Sequence, residues 1–125
     1  MPDSRLDGPV PVLDVELRGE AVVLVLANIG ADIAFRPRVA FSRAMRGLGG
    51  TVDVGLLPVW TTLTQLLPGR RHEVLLDTLA RVLAADEEEC CFTARVTYAD
   101  WTGAEASLTY EHDLTAYRGL PRPLT

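Results

Sequence analysis

The chain has 125 residues, 48% of them hydrophobic and 23% charged, with a net charge of −5. That length fits one domain spanning residues 1–125, with a core large enough to fold without metals or disulfides. The ordinary charged fraction excludes a disordered chain, and the acidic balance argues against nucleic acid, which needs a clustered basic surface.

All 12 basic side chains are arginine, which alongside the richness in Ala, Leu, Val and Gly reads as coding bias. The opening M-P-D-S-R-L-D-G-P-V-P has no basic segment followed by an apolar one, so no secretory signal is expected. The longest apolar run, Ala21 to Ala27, is far short of the roughly 20 residues of a membrane helix. A cytoplasmic location is the expectation. The neighbouring Cys90 and Cys91 make no disulfide framework, which agrees with a reducing compartment.

Turn residues recur at strand-length intervals: Gly8-Pro9, Gly19, Asn28-Ile29-Gly30, Gly47 to Gly50, Pro68-Gly69, Asp100 to Gly103 and Gly119. Such spacing predicts an all-β sandwich or barrel. Leu13 to Arg18 alternates apolar and polar residues, as a half-buried strand does. Glu20 to Asn28 is nearly all apolar, which suits a central strand covered on both faces. Arg36 to Arg43 alternates again, predicting Val39 and Phe41 inward and Arg36 and Arg38 outward on one shared face. Thr51 to Val54 follows a glycine-rich hairpin turn. Val59 to Leu66 and Arg71 to Asp77 read as strands flanking the Pro68-Gly69 turn, where glycine supplies a positive φ. Leu75, Leu79, Val82 and Leu83 share one helical face, so a short helix is expected near residues 78–86.

The last hairpin can be put in register. Cys91 to Ala99 and Ala104 to Leu114 flank D-W-T-G, the signature of a type I turn with Gly103 in a bulge. Closure there pairs Tyr98 with Ala106, Val96 with Leu108, Ala94 with Tyr110 and Phe92 with His112 on the inward face. Thr97–Ser107, Arg95–Thr109 and Thr93–Glu111 fall on the other. A one-residue slip would mix the two sets.

The segment L-A-N-I-G-A-D-I-A-F-R-P-R-V (residues 26–39), the Leu67-Pro68-Gly69 turn and the closing Tyr98, Asp100, Gly103 pattern resemble prokaryotic immunoglobulin-like domains, nearest to the adhesion-related CARDB type. The resemblance covers about residues 12–117. It implies an immunoglobulin-like antiparallel β-sandwich of about seven strands, with short irregular tails, that binds or spaces and does not catalyse. In that setting Asn28 and Gly30 are expected to form an Asx turn and a positive-φ position.

Residues 86–91, D-E-E-E-C-C, are the one place where metal ligands crowd. Adjacent strand residues face opposite ways, so Cys90 is expected inward and Cys91 outward opposite Asp113, unable to share an ion. His112 falls inward beside Phe92, and His72 is expected in solvent. No nucleophile–base arrangement, P-loop or dinucleotide motif is present, so neither an enzyme nor a cofactor is expected. The candidate partner contacts are Arg36 and Arg38, spaced for an acidic strand, Trp101, held in a tight turn where burial is hard, and Cys91, as an exposed thiol. The leading expectation is a module that binds a protein partner or itself. A structural subunit of a larger assembly is the alternative, followed by a small-ligand or metal binder using His112, Asp113 and Cys91.

Overall fold

Nine strands and three short helices account for most of residues 7–85 and 87–118, which the computed structural model describes. The strands are β1 (Pro11–Arg18), β2 (Ala21–Asn28), β3 (Ala34–Phe41), β4 (Arg46–Gly47), β5 (Val52–Asp53), β6 (Gln65–Leu66), β7 (Arg71–Thr78), β8 (Cys91–Ala99) and β9 (Glu105–Asp113). The helices are α1 (Val59–Thr62), α2 (Leu79–Ala84) and α3 (Glu87–Cys90). One sheet has the order β1-β2-β7 and the other β6-β3-β8-β9, while β4 and β5 form a separate hairpin. Every pairing is antiparallel. The seven strands of the two larger sheets form an all-β sandwich. Leu13, Val22, Leu24 and Leu26 from one side and Val39, Phe92, Ala94 and Val96 from the other meet in a single core. The tails at residues 1–6 and 119–125, and residue 86, lie outside the described residues.

Strand β2 is covered on both faces, as its composition predicts, but its two covers differ. Val22, Leu24 and Leu26 enter the core. Val23 and Val25 point away from it and are still 7% and 1% exposed. Over them lies a charged quartet: Arg18 and Arg71 each donate to both Glu16 and Glu73. Glu16 and Glu73 stand on opposite sides of β2, beside Val23 and Val25 respectively. The four side chains therefore span β2, and their methylene stems shield the valines while the charged ends stay wet.

Strand β3 departs from simple alternation. Phe35 pairs with Ala99 and Arg38 with Thr97, so Arg36 and Pro37 together oppose Tyr98. A proline has no N–H to give a ladder, and inside a sheet it sits at such a bulge. Arg36 takes a φ of 48° there. The bulge removes the shared face expected for Arg36 and Arg38.

Residues 59–66 are not one strand. Val59–Thr62 turn into α1, and only Gln65–Leu66 pair with β3. The helical turn lets Trp60 enter the core at 0% exposure, its indole N–H donating to the Val54 carbonyl at 2.7 Å. Its ring meets Phe41 edge-on with centroids 5.2 Å apart. Burying that ring with its polar atom satisfied outweighs the strand preference of Val59, Thr61 and Thr62.

The expected helix forms as α2. Thr78 caps it, accepting from the Arg81 N–H, and Leu79 is its buried anchor. Leu75, expected on the same helical face, instead belongs to β7 and is 49% exposed.

Asn28 is fully buried and uses both ends of its amide. Oδ1 accepts from the Val10 and Gly30 N–H groups at 3.1 and 2.9 Å. Nδ2 donates to the Asp32 and Leu66 carbonyls at 2.8 and 2.9 Å, which ties the β2–β3 turn to β6. The Asx turn is present, but Gly30 is not at positive φ. Glycine is required there because a Cβ would lie 2.0 Å from the Gly8 carbonyl oxygen.

The β4–β5 hairpin folds over the end of β7 as a flap. Between Val22 and Val23 the β2–β7 register slips, leaving Leu76 without a partner on β2. Its carbonyl instead accepts from the Leu48 N–H at 2.9 Å. Gly47 lies so close that a Cβ would sit 2.0 Å from that same oxygen. Asp77, 8% exposed, accepts from the Gly49 N–H through Oδ2 and from the Thr78 N–H through Oδ1.

Candidate interaction edge

The β8–β9 hairpin has the register expected from sequence at every pair, from Tyr98–Ala106 to Phe92–His112. Asp100 closes it, with Oδ1 accepting from the Thr102 and Ala104 N–H groups, and Gly103 takes a φ of 86°. The Asp100 N–H donates to the Ala104 carbonyl at 3.0 Å, which sets the phase of the ladder. Hydrogen-bonded pairs alternate from there, so Ala106, Leu108, Tyr110 and His112 exchange bonds with β8. The N–H and C=O groups of Glu105, Ser107, Thr109 and Glu111 therefore point away from β8. Strand β9 ends its sheet, and among the described residues nothing occupies those groups.

The other edges are partly occupied or short. In β1 the Ile29 N–H donates to the Val10 carbonyl, so Pro11, Leu13 and Val15 present their backbone outward. Pro11 has no N–H, and its carbonyl takes the Tyr110 hydroxyl at 2.8 Å. The Leu13 carbonyl takes Nε2–H of His112 at 2.8 Å, and the Val15 N–H is taken by Asp14 Oδ1. Burial pushes the Tyr110 hydroxyl up to about 12, so it remains a donor. Strand β6 has two residues, and the flap covers β7 only from Leu76 onward, leaving the outward backbone of Arg71, Glu73 and Leu75 beside the charged quartet. These are the devices by which sheet edges avoid pairing. On β9 the device present is charge: Glu105, Glu111 and Asp113.

The residues expected to contact a partner do not converge. Trp101 is 77% exposed at the hairpin tip. Exposed Arg36 lies at the same end of the sheet, since Phe35 pairs with Ala99. Arg38 is half-buried and occupied: its guanidinium donates to the Pro37 and Leu63 carbonyls, both at 2.8 Å. Cys91 lies at the far end of β8, about 26 Å from the tip at the usual rise per residue.

Cys91 is exposed and Cys90 buried, as expected, but Cys90 ends α3 and only Cys91 belongs to β8, so strand alternation is not what separates them. The Cys90 thiol donates to the Val82 carbonyl at 3.3 Å. Partial desolvation and a hydrogen bond to Asp113 push the Cys91 thiol up, so it stays protonated at neutral pH. Asp113 is held below the usual carboxylate range, chiefly by Thr115. His112 stacks on Phe92 with ring centroids 5.2 Å apart while bonding to β1. Among the described residues no three His, Cys, Asp or Glu side chains converge as metal ligands. His72 is half-buried in β7, not fully in solvent.

The open edge is acidic, with Glu105, Glu111 and Asp113 on β9 and no arginine in that strand. Sequence reasoning identified which β9 side chains face outward but not that β9 ends a sheet, because edge position is a property of the whole topology. No helix among the described residues is long and apolar enough to cross a membrane. Compared with known protein families, curated proteins and solved structures, the chain matches none.

Proposed function

We propose that the chain is a non-catalytic, immunoglobulin-like interaction module that takes an extended strand of a protein partner along β9. The observation that carries this reading is the set of outward backbone groups at Glu105, Ser107, Thr109 and Glu111. A strand laid there gains main-chain hydrogen bonds along its length, the usual mode of strand addition. The division into β1-β2-β7 and β6-β3-β8-β9 supports the immunoglobulin-like reading, because it separates the strands as those sandwiches do.

Charge favours a different protein over a second copy. Antiparallel pairing of two β9 edges about Thr109 sets Glu105 against Asp113, and pairing midway between Ser107 and Thr109 sets Glu105 against Glu111. Like charges directly opposite are destabilising, and each chain carries a net charge of −5. A fitting partner presents Lys or Arg at alternate positions of an extended segment, with Trp101 available for contact at the tip.

The test is co-purification from the native host with the wild-type chain and with Ser107→Pro, alongside light scattering. The outward Ser107 N–H takes no part in the β8 ladder, so proline blocks an added strand while sparing the hairpin. Proteins retained by wild type and lost with Ser107→Pro support the reading. Identical sets overturn it, and an oligomer formed by the wild type alone replaces the partner with a second copy.

A further inference from the structure

A cleft of about 590 Å³ opens between the flap and α2. Arg43, from the segment after β3, Arg46, from β4, and Arg81, from α2, all line it. Their side chains come from three separate parts of the chain and share no salt bridge among the described residues. Val82, Ala84 and Ala85 add apolar surface, over a floor in which Leu76 and Leu114 are almost fully buried. Two carboxylates also reach the cleft. Asp77 already accepts two backbone N–H groups, and Glu89 is exposed. Among the described residues the lining holds three cations and two anions.

The Arg81 guanidinium lies against the flap turn: a Cβ at Gly49, whose φ of 85° itself calls for glycine, would lie 2.7 Å from Nη1 of Arg81. Because the flap is fixed to β7 through Gly47, Leu48 and Gly49, Arg46 and Arg81 are carried on elements anchored to the same strand end.

We propose that this cleft binds a small organic phosphate monoester, with its phosphate held by Arg46, Arg81 and Arg43 and its apolar body against Val82, Ala84 and Ala85. Guanidinium forks match phosphate oxygens in pairs, so several arginines around one opening suit a dianion better than a single carboxylate. The volume is within the range of small-molecule sites, which combine apolar walls with a few directed polar groups.

Phenyl phosphate is a suitable probe, titrated into the full chain while amide chemical shifts are recorded. The expected result is a saturable shift centred on Gly49, Gly50 and Arg81, with inorganic phosphate, benzoate and phenol each binding at least about tenfold more weakly. Arg81→Gln and Arg46→Gln should each weaken phenyl phosphate by about tenfold, the size of one charge-assisted contact. Both residues are exposed, so unchanged thermal midpoints would show that the fold is intact. No saturation by about 10 mM overturns the proposal. So does binding that both variants leave unchanged. Equal binding of benzoate removes the phosphate assignment, and equal binding of inorganic phosphate removes the apolar wall.

Discussion

At the scale of single residues, buried polar groups govern the fold and exposed ones govern chemistry. Asn28 is the clearest case, because one amide serves four backbone groups from the N-terminal segment, the β2–β3 turn and β6. Asn28→Ala strips those partners without replacing them, and unsatisfied buried groups cost about 1–3 kcal/mol each. With water reaching some of them, a loss of about 3 kcal/mol is expected in urea unfolding, with the slope unchanged. Asn28→Asp should cost a similar amount, since a carboxylate cannot donate to the Asp32 and Leu66 carbonyls. Cys91 illustrates the other half. Its thiol is held protonated by partial desolvation and by Asp113. Iodoacetamide at pH 7.5 is therefore expected to label Cys91 more slowly than a free peptide thiol, and Asp113→Asn should speed the reaction. An unchanged rate in Asp113→Asn would remove Asp113 as the cause.

Single elements show how a sandwich decides which of its edges stays open. Tyr110 and His112 reach from β9 to the outward carbonyls of Pro11 and Leu13 on β1, while the backbone of Glu105, Ser107, Thr109 and Glu111 stays free on β9. Leu108→Pro and Ser107→Pro separate the two roles of β9. Leu108 pairs with Val96 in the hydrogen-bonded set, so proline there breaks the ladder, at a cost of about 3 kcal/mol. Ser107→Pro is expected to cost less than about 1 kcal/mol, because its N–H already faces outward. Thermal unfolding of the pair checks this, and equal losses would show that the phase of the ladder is wrong. The hairpin was legible from sequence because a short turn signal and strict alternation fix register locally. Three features were not legible, and each depends on distant groups. The bulge at Arg36-Pro37 needs β8 alongside, and the helical turn at Trp60 needs the Val54 carbonyl and Phe41. Gly30 reads as a turn glycine until Gly8 is seen against it. The cleft was not legible in the sequence either, because Arg81 joins Arg43 and Arg46 only through the packing of α2 beside the flap.

The molecule as a whole combines a well-covered core with a charged outer surface, and its pH response follows from that division. The quartet over β2 lowers both of its carboxylates. Hydrogen bonds, first from Arg18, hold Glu73 down at about 2, against an ordinary 4.5. Glu16 is lowered in the same direction, first by Arg71 and then by Arg18. A carboxylate whose folded-state pKa is depressed adds stability above its unfolded pKa and loses it as pH falls toward the folded value. The contribution of Glu73 should therefore be complete above about pH 5 and fade between about pH 4.5 and pH 2. The difference in thermal midpoint between wild type and Glu73→Gln isolates it from the other carboxylates. That difference should be present at pH 7, shrink through the same interval, and diminish in 1 M salt, because all four side chains are partly open to solvent. Absence of any difference at pH 7 would show that Glu73 acts there through packing over Val23 and Val25. In that case the quartet would be chiefly an apolar cover whose charged ends keep the outer face of the sheet in water, and the two carboxylates would be interchangeable with neutral side chains of the same length.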